Sequence, residues 1–467
     1  MPELNLITSA VKSRSVVASG GNIKNLFAEI NEDQSIALYG TSGKVAIVNV
    51  GLGGAIRGLL SANNRLYVVC ESTVYSLDSS YAVTTIGTIN TNSGLVSMAS
   101  NGLDVIIVDG LYGYLVNFST GLLSRITAAD FPNGVKYVDY LNGIYLVSGN
   151  NTQYFYGSAR FDGTSWNALD VGVADYKPDN LIRPFVNGSD LLNFGTISIE
   201  YWNDTGAADF PIERSGNAFL DVGVLAANSI HRLGSSVLFL GQTSQGQGVV
   251  YQIDGYSPKR VSTHAIEYAI GQWTNASTAY AWAYSEEGHN FYVLSCIGCP
   301  ESLVYDITTN MWHTRTWFND GQHYSDRANT YAFFNGKHIV GDFDNGNIYE
   351  LSLDVYTDDV YPIVREFTSQ HTVTGKRAFY SLIELRMESG VGLTTGQGSN
   401  PLVNLSTSED NGRTWGSERQ ARIGALGEYL NRIYWPRVGS GFNKSFRIRM
   451  SDPVKVALTG ARLEYTQ

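Results

Sequence analysis

Short apolar runs separated by polar turn residues recur along the first three-quarters of the chain, in the same order each time. A turn with Asn or Gly leads into an apolar strand, a second turn follows, and then comes a strand centred on an aromatic. Asn64-Arg65-Leu66-Tyr67-Val68-Val69 precedes Val74-Tyr75-Ser76-Leu77, and Gly102 to Val108 precedes Tyr114-Leu115-Val116. Asn142 to Val147 precedes Tyr154-Phe155-Tyr156, and later copies open at Asn187-Gly188, Gly234, Gly288 and Asn335-Gly336. Markers at 64, 102, 143, 188, 234, 288 and 336 lie 38, 41, 45, 46, 54 and 48 residues apart. Four-stranded propeller blades repeat at about 40 to 50 residues. Such a sheet has two apolar faces it cannot bury alone, and radial stacking buries both. The pattern predicts an all-β chain whose residues 35–359 form a β-propeller of seven four-stranded blades. Lys44-Val45-Ala46-Ile47-Val48-Asn49 is a candidate for completing the last blade.

From Val360 the rhythm stops and longer strands appear: Phe379 to Met387, Pro401 to Ser406, Gly427 to Arg437, Lys444 to Met450 and Val454 to Tyr465. Residues 360–467 therefore read as a separate antiparallel β-sandwich-like module. Residues 1–34 carry no strong period and read as an extended N-terminal arm.

Composition supports β-structure and removes other classes. The 467 residues include 49 Gly and 29 Tyr but only 16% charged residues, which excludes disorder and coiled coil. Three Cys (Cys70, Cys296 and Cys299) are too few for a disulfide scaffold and point to a reducing site of synthesis. Met1-Pro-Glu-Leu-Asn-Leu has neither the charged nor the apolar region of a signal peptide. No apolar run approaches the roughly 18 residues of a membrane helix, so no membrane partner is expected. Net charge is −11, yet ten basic residues stand against three acidic ones between Arg413 and Arg462. That stretch reads either as a docking face for an acidic partner or phosphates, or as solvated strands with outward basic residues.

Ser408-Glu409-Asp410-Asn411-Gly412-Arg413-Thr414-Trp415 matches the Asp-box pattern S-x-D-x-G-x-T-W. In this box Ser408, Asp410, Gly412 and Trp415 build a turn and supply no catalysis. Tyr305-Asp306 with Trp312 has kelch-like spacing, and Phe161-Asp162 with Trp166 echoes it; both read as turn-fixing Asp and space-filling Trp. Cys296-Ile297-Gly298-Cys299 lacks a second pair for zinc and reads as a hairpin loop. Asp342-Phe343-Asp344-Asn345-Gly346-Asn347 misses the EF-hand spacing, and Asn345-Gly346 reads as a type I′ turn. No catalytic residue, cofactor site or metal site emerges, and no carboxylate pair is singled out for a glycosidase.

Asn25-Leu26-Phe27-Ala28-Glu29-Ile30 and Ile36-Ala37-Leu38-Tyr39-Gly40-Thr41 resemble the opening of packaged-DNA stabilisation, or tail hub (nozzle), proteins of short-tailed bacteriophages. Tyr434-Trp435-Pro436-Arg437-Val438-Gly439, Phe446-Arg447-Ile448-Arg449 and Asp452-Pro453-Val454 resemble the close of the same family. The resemblance implies a structural, non-enzymatic virion protein of the tail, assembled in the host cytoplasm. It would form a ring, a hexamer, that closes the head after DNA packaging. Its implied partners are a portal adaptor, a tail needle or plug, and a tailspike or fibre, with double-stranded DNA passing through unbound. Asn25, Leu26, Glu29, Arg432, Arg437, Arg447 and Arg449 are the candidate partner-binding residues. Rival readings are a sialidase-like tail glycosidase and a cellular propeller used as a binding scaffold.

Overall fold

The computed structural model describes residues 3–4, 14, 21–51, 53–207, 209–242, 248–369 and 372–466. Most of the expected arm, residues 1–20, lies outside these. Strands dominate throughout, joined by the α-helix His264–Gly271 and the short turns Ala227–Ser229 and Ala276–Thr278.

Blades form where a short strand can bury both of its faces. Every residue of Asp104–Val108 is buried. Val105 and Ile107 pack towards Tyr67, Val69 and Val74 of the blade before. Ile106 and Val108 pack towards Val138, Tyr145 and Val147 of the blade after. A strand sandwiched on both sides thus reads as a continuous apolar run. Its hairpins are set by residues that accept a left-handed backbone. Asn63 and Asn64, at φ 49° and 55°, make the two-residue turn that pairs Ala62 with Arg65.

Six sheets of four to six strands are self-contained, and they lie in chain order around the ring. The seventh repeat is not. Tyr280–Glu286, His289–Ser295, Ser302–Asp306 and Met311–Asn319 form an antiparallel meander that belongs to a 15-stranded sheet. The expectation of seven four-stranded blades is corrected to six. The reason is local: Lys24 pairs in parallel with Thr314, so the outer edge of this meander continues into the neighbouring module. Gly43–Asn49 pairs antiparallel with Asn347–Ser352, joining the two ends of the propeller within one sheet.

The C-terminal module is a β-sandwich. One layer orders Leu26–Ile30, Ile36–Gly40, Ala457–Thr466, Thr372–Met387 and the start of Ile433–Met450. The other orders Arg419–Arg422, Leu402–Ser408, the end of Ile433–Met450, Arg365–Thr368 and Asn22–Lys24. Phe367, Ile383, Leu405, Trp435, Phe446 and Leu463 are buried together between them. Two expectations change here. Residues 22–30, expected in the extended arm, and 36–40, expected in the propeller, are strands of the sandwich, and Leu38 pairs with Leu458 near the other end of the chain. Gly427 to Arg437 and Lys444 to Met450 are not two strands: Ile433–Met450 is one strand, bent where Arg437 and Gly439 take φ 54° and 98°.

The closing sheet is also locked by charge. Lys44, buried in the closing strand, places Nζ 2.6 Å from Asp326 and 3.2 Å from Asp358. Beside it, a Cβ on Gly43 would stand 2.3 Å from the Val355 carbonyl oxygen and 2.5 Å from that of Thr357. Both obstacles are backbone and cannot swing aside. Gly43→Ala is expected to cost about 1–3 kcal/mol, the range for overpacking, read as a lowered urea midpoint with unchanged slope. An unshifted midpoint would show that the linker, residues 353–364, gives way.

Candidate docking surfaces

The Asp-box folds as a turn. Ser408 Oγ donates to Asp410 (2.7 Å) and accepts from the Gly412 N–H at 2.8 Å. Asp410 in turn accepts from the Thr414 hydroxyl at 2.6 Å and from its N–H at 2.9 Å. Those bonds from Thr414 and Ser408 hold the Asp410 carboxyl well below the usual carboxylate range. Gly412 takes φ 82°, and a Cβ there would touch the Trp415 ring at 3.4 Å. The carboxylate spends its lone pairs on its own loop, and among the described residues no other acid joins these hydrogen bonds.

Trp415 carries something else. The Arg447 guanidinium lies 4.7 Å from its ring centroid. Alternation along the strand puts Arg447 and Arg449 on one face of the sandwich. Arg449 bridges Glu366 and Glu418, each at 3.3 Å. Of the expected residues, these two arginines are brought together. Arg432 lies elsewhere, paired with Glu384 at 2.8 Å, and Arg437 is exposed at the bend of its strand.

Half of the basic residues between Arg413 and Arg462 are answered from outside that stretch. Glu384, Glu409, Glu366, Glu388 and Glu464 pair with Arg432, Lys444, Arg449, Lys455 and Arg462. Folding thus converts a sequence-level charge block into ion pairs on a mixed surface, and exposed pairs of this kind contribute little to stability.

Asn25 and Leu26 are buried and present no side chain at the surface. Asn25, at φ 53°, donates from Nδ2 to the Thr316 and Val364 carbonyls and accepts from the Thr316 N–H at 2.8 Å. It pins sandwich, meander and linker at one point. Glu29 is half exposed, 3.7 Å from His289 Nε2, in a cavity of about 360 Å³ shared with Phe27, Tyr39, Tyr356 and Lys455. The hydrogen bond from His289 to Asp306, 2.8 Å, raises the imidazole above its ordinary pKa despite burial.

The kelch-like spacings are structural. Trp312 is buried and donates its indole N–H to the Val261 carbonyl, while Trp166 packs edge-on against Phe131 in the loop leading into its own blade. Cys296 and Cys299 close a turn as a disulfide pair, with Gly298 at φ 83°. The type I′ expectation at Asn345-Gly346 fails, since neither residue has positive φ. Gly346 is needed for room instead: a Cβ would meet the Gly51 carbonyl oxygen at 2.2 Å. Asp342, far from a cation site, is buried and clamped by Arg327 at 2.7 Å.

One surface went unseen in the sequence, because Gly427 to Arg437 reads there as a strand. Residues 424–431 are a loop that exposes Leu426, Tyr429 and Leu430, the last at 97%. Glu428 accepts from the Ala425 N–H and from Arg422, both at 2.9 Å, and Ser389 donates to the Tyr429 carbonyl at 2.8 Å. The backbone is held while its apolar side chains face water. A built apolar knob rimmed by Arg422 and Arg432 has the anatomy of a protein-binding surface.

Two family profiles match the chain in tandem. "Bacteriophage P22 Gp10, beta-propeller" covers residues 23–356, and "Bacteriophage P22 Gp10, beta-sandwich" covers residues 365–466. No curated protein matches the chain. Among solved structures, a chain of the mitotic checkpoint complex shares 10% identity at a TM-score of 0.42, over 69% of this chain and 97% of that one. The extracellular domain of the putative hybrid two component system BT4673 from B. thetaiotaomicron shares 9% at 0.47, over 87% and 58%. The computationally designed Ika8 protein shares 11% at 0.37, over 66% and 99%. At those scores none bears on fold or function.

Proposed function

The chain belongs to the bacteriophage P22 Gp10 stabilisation family, a family of structural phage proteins, and from that premise we propose that it forms the tail hub of a virion. In this reading copies assemble into a ring, a hexamer, below the portal adaptor. The ring closes the head after packaging, continues the DNA channel and carries a needle or plug and a tailspike or fibre. Lys24 and Asn25 support it most directly, because they tie the sandwich to the propeller's meander in one stiff wedge. A ring under internal DNA pressure needs subunits that do not hinge. The net charge of −11 lets DNA slide past without sticking. A ring whose lumen proved positively charged would overturn that part.

The loop at Leu426, Tyr429 and Leu430 is the proposed anchor for a neighbouring protein of the tail, with Arg447 and Arg449 on a second face. Exposed side chains on a self-supported loop separate binding from folding. Tyr429→Ser with Leu430→Ser should leave the melting temperature within about 1 °C and weaken assembly on the adaptor about tenfold or more, as loss of interface anchors does. Titration of labelled adaptor against the variant checks this. Full-strength assembly by the double variant would move the docking surface elsewhere.

A further inference from the structure

We propose that the propeller axis holds a binding site for one small, partly protonated oxyanion of the hydrogen-phosphate class. The cavity there measures about 160 Å³. Its walls come from the first strand or the adjoining turn of every blade and of the Tyr280–Asn319 meander, among them Arg57, Tyr137, Arg183, His231, Asn329 and Thr330. Among the described residues no carboxylate lines it, in a chain that is acidic overall.

The two arginines differ. Arg57 is 2% exposed and spends its N–H groups on the carbonyls of Gly94, Glu71, Thr91 and Ser93 and on the Thr91 hydroxyl. It contributes positive field but no free donor. Arg183 donates one bond to the Ala227 carbonyl at 2.9 Å and lies over the rings of Tyr137 and Phe185. Its Nε is buried without an acceptor, and it makes no ion pair among the described residues. Across the cavity Asn329, 7% exposed, fixes its amide by donating to the Ile56 carbonyl at 2.7 Å. That leaves Asn329 Oδ1 and Thr330 Oγ1 buried and unpartnered.

An open N–H donor beside a cationic group calls for an anion, because an unmet buried donor costs about 1–3 kcal/mol. An open carbonyl acceptor calls for a donor. Hydrogen phosphate supplies both on one tetrahedral centre, whereas sulfate at neutral pH offers acceptors only. His231 also faces the site, and burial together with Arg183 depresses its pKa to about 3. An anion seated at Arg183 would relieve that repulsion and move the imidazole signal. A duplex is far too large to enter.

Thermal melts of the full chain with inorganic phosphate, with sulfate and with a short DNA duplex provide the test. The expected result is a saturable rise in melting temperature with phosphate, at least threefold weaker half-saturation with sulfate, and no competition by the duplex. Arg183→Gln should abolish the rise and Arg183→Lys should weaken it about tenfold, while Arg232→Gln, outside this cavity, leaves it intact. In the unaltered chain, the His231 ring proton resonance should shift with the same half-saturation, a readout that does not depend on any variant folding. Equal responses to both anions that survive Arg183→Gln mean an adventitious ion only and overturn the proposal. Displacement of phosphate by the duplex would also overturn it, in favour of a DNA contact.

Discussion

Lys44→Met is expected to destabilise the protein by about 3–5 kcal/mol, the cost of removing one partner from a buried ion cluster. The lysine side chain is 3% exposed and is the cation nearest both Asp326 and Asp358. Burial alone would push Lys44 down, but the two carboxylates outweigh it and hold it above its ordinary pKa. Burial would likewise raise Asp326, and Lys44 with Arg315 reverses that. For Asp358 burial wins, with Asp326 adding to it, so its carboxyl stays raised. Without the ammonium group, two acids face each other out of water. One must take a proton or the linker must open. Adding Asp358→Asn to Lys44→Met should restore part of the loss, since it removes one of the stranded charges. Equilibrium urea unfolding measures both. A single variant as stable as the parent would show that water reaches the cluster.

The second large effect is acid sensitivity from His313. The imidazole is 3% exposed, edge-on to Phe291, with Nε2 lacking a hydrogen bond. Burial first, then Arg315 and His289 against the opposing pull of Asp306, depresses its pKa to about 3. In the unfolded chain it titrates near 6.5. Below pH 6.5 the unfolded state therefore gains a proton that the folded state refuses, and stability falls with pH down to about 3. At pH 5 the loss is about 2 kcal/mol. His313→Phe should remove that share, so its stability relative to the parent rises by about 2 kcal/mol between pH 7 and pH 5. His289 works with the opposite sign. Its raised pKa stabilises the fold fully below pH 6.5, and the contribution fades as pH rises through the folded value. His289→Asn should thus lose more at pH 6 than at pH 8. Parallel pH profiles for parent and His313→Phe would contradict the assignment.

The propeller was legible because its rules are local. Each blade announces itself through turn residues that tolerate positive φ, such as Asn64, Asn142 and Asn335, followed by runs that must be apolar on both faces. The closing strand Lys44–Asn49 was legible for the same reason. Long-range pairing was not. Leu26–Ile30 and Ile36–Gly40 join the sandwich only because Leu38 meets Leu458, and nothing in the N-terminal pattern encodes a partner so distant in sequence. Arg437 and Gly439 similarly bend one strand where the sequence reads two.

Charge misled in both directions. Lys44, Arg57 and Arg365 are buried, where a sequence reading puts such residues in water. Arg365 is the reason Gly40 is glycine: a Cβ there would stand 2.8 Å from Arg365 Nε. Conversely, five of the ten basic residues of the block near the C-terminus pair with acids that lie outside it. Among the candidate residues, Asn25 and Leu26 fold the chain rather than face a partner, while Arg447 and Arg449 do share a face. The exposed loop at Tyr429 and Leu430 left no signal, since apolar residues in a β-rich chain read as strand until their neighbours are placed.

Mass photometry of the purified full chain, alone and mixed with its candidate adaptor ring, tests the hub reading most directly. A hexamer, formed alone or only on the adaptor, is the predicted result. A strict monomer under both conditions would contradict it.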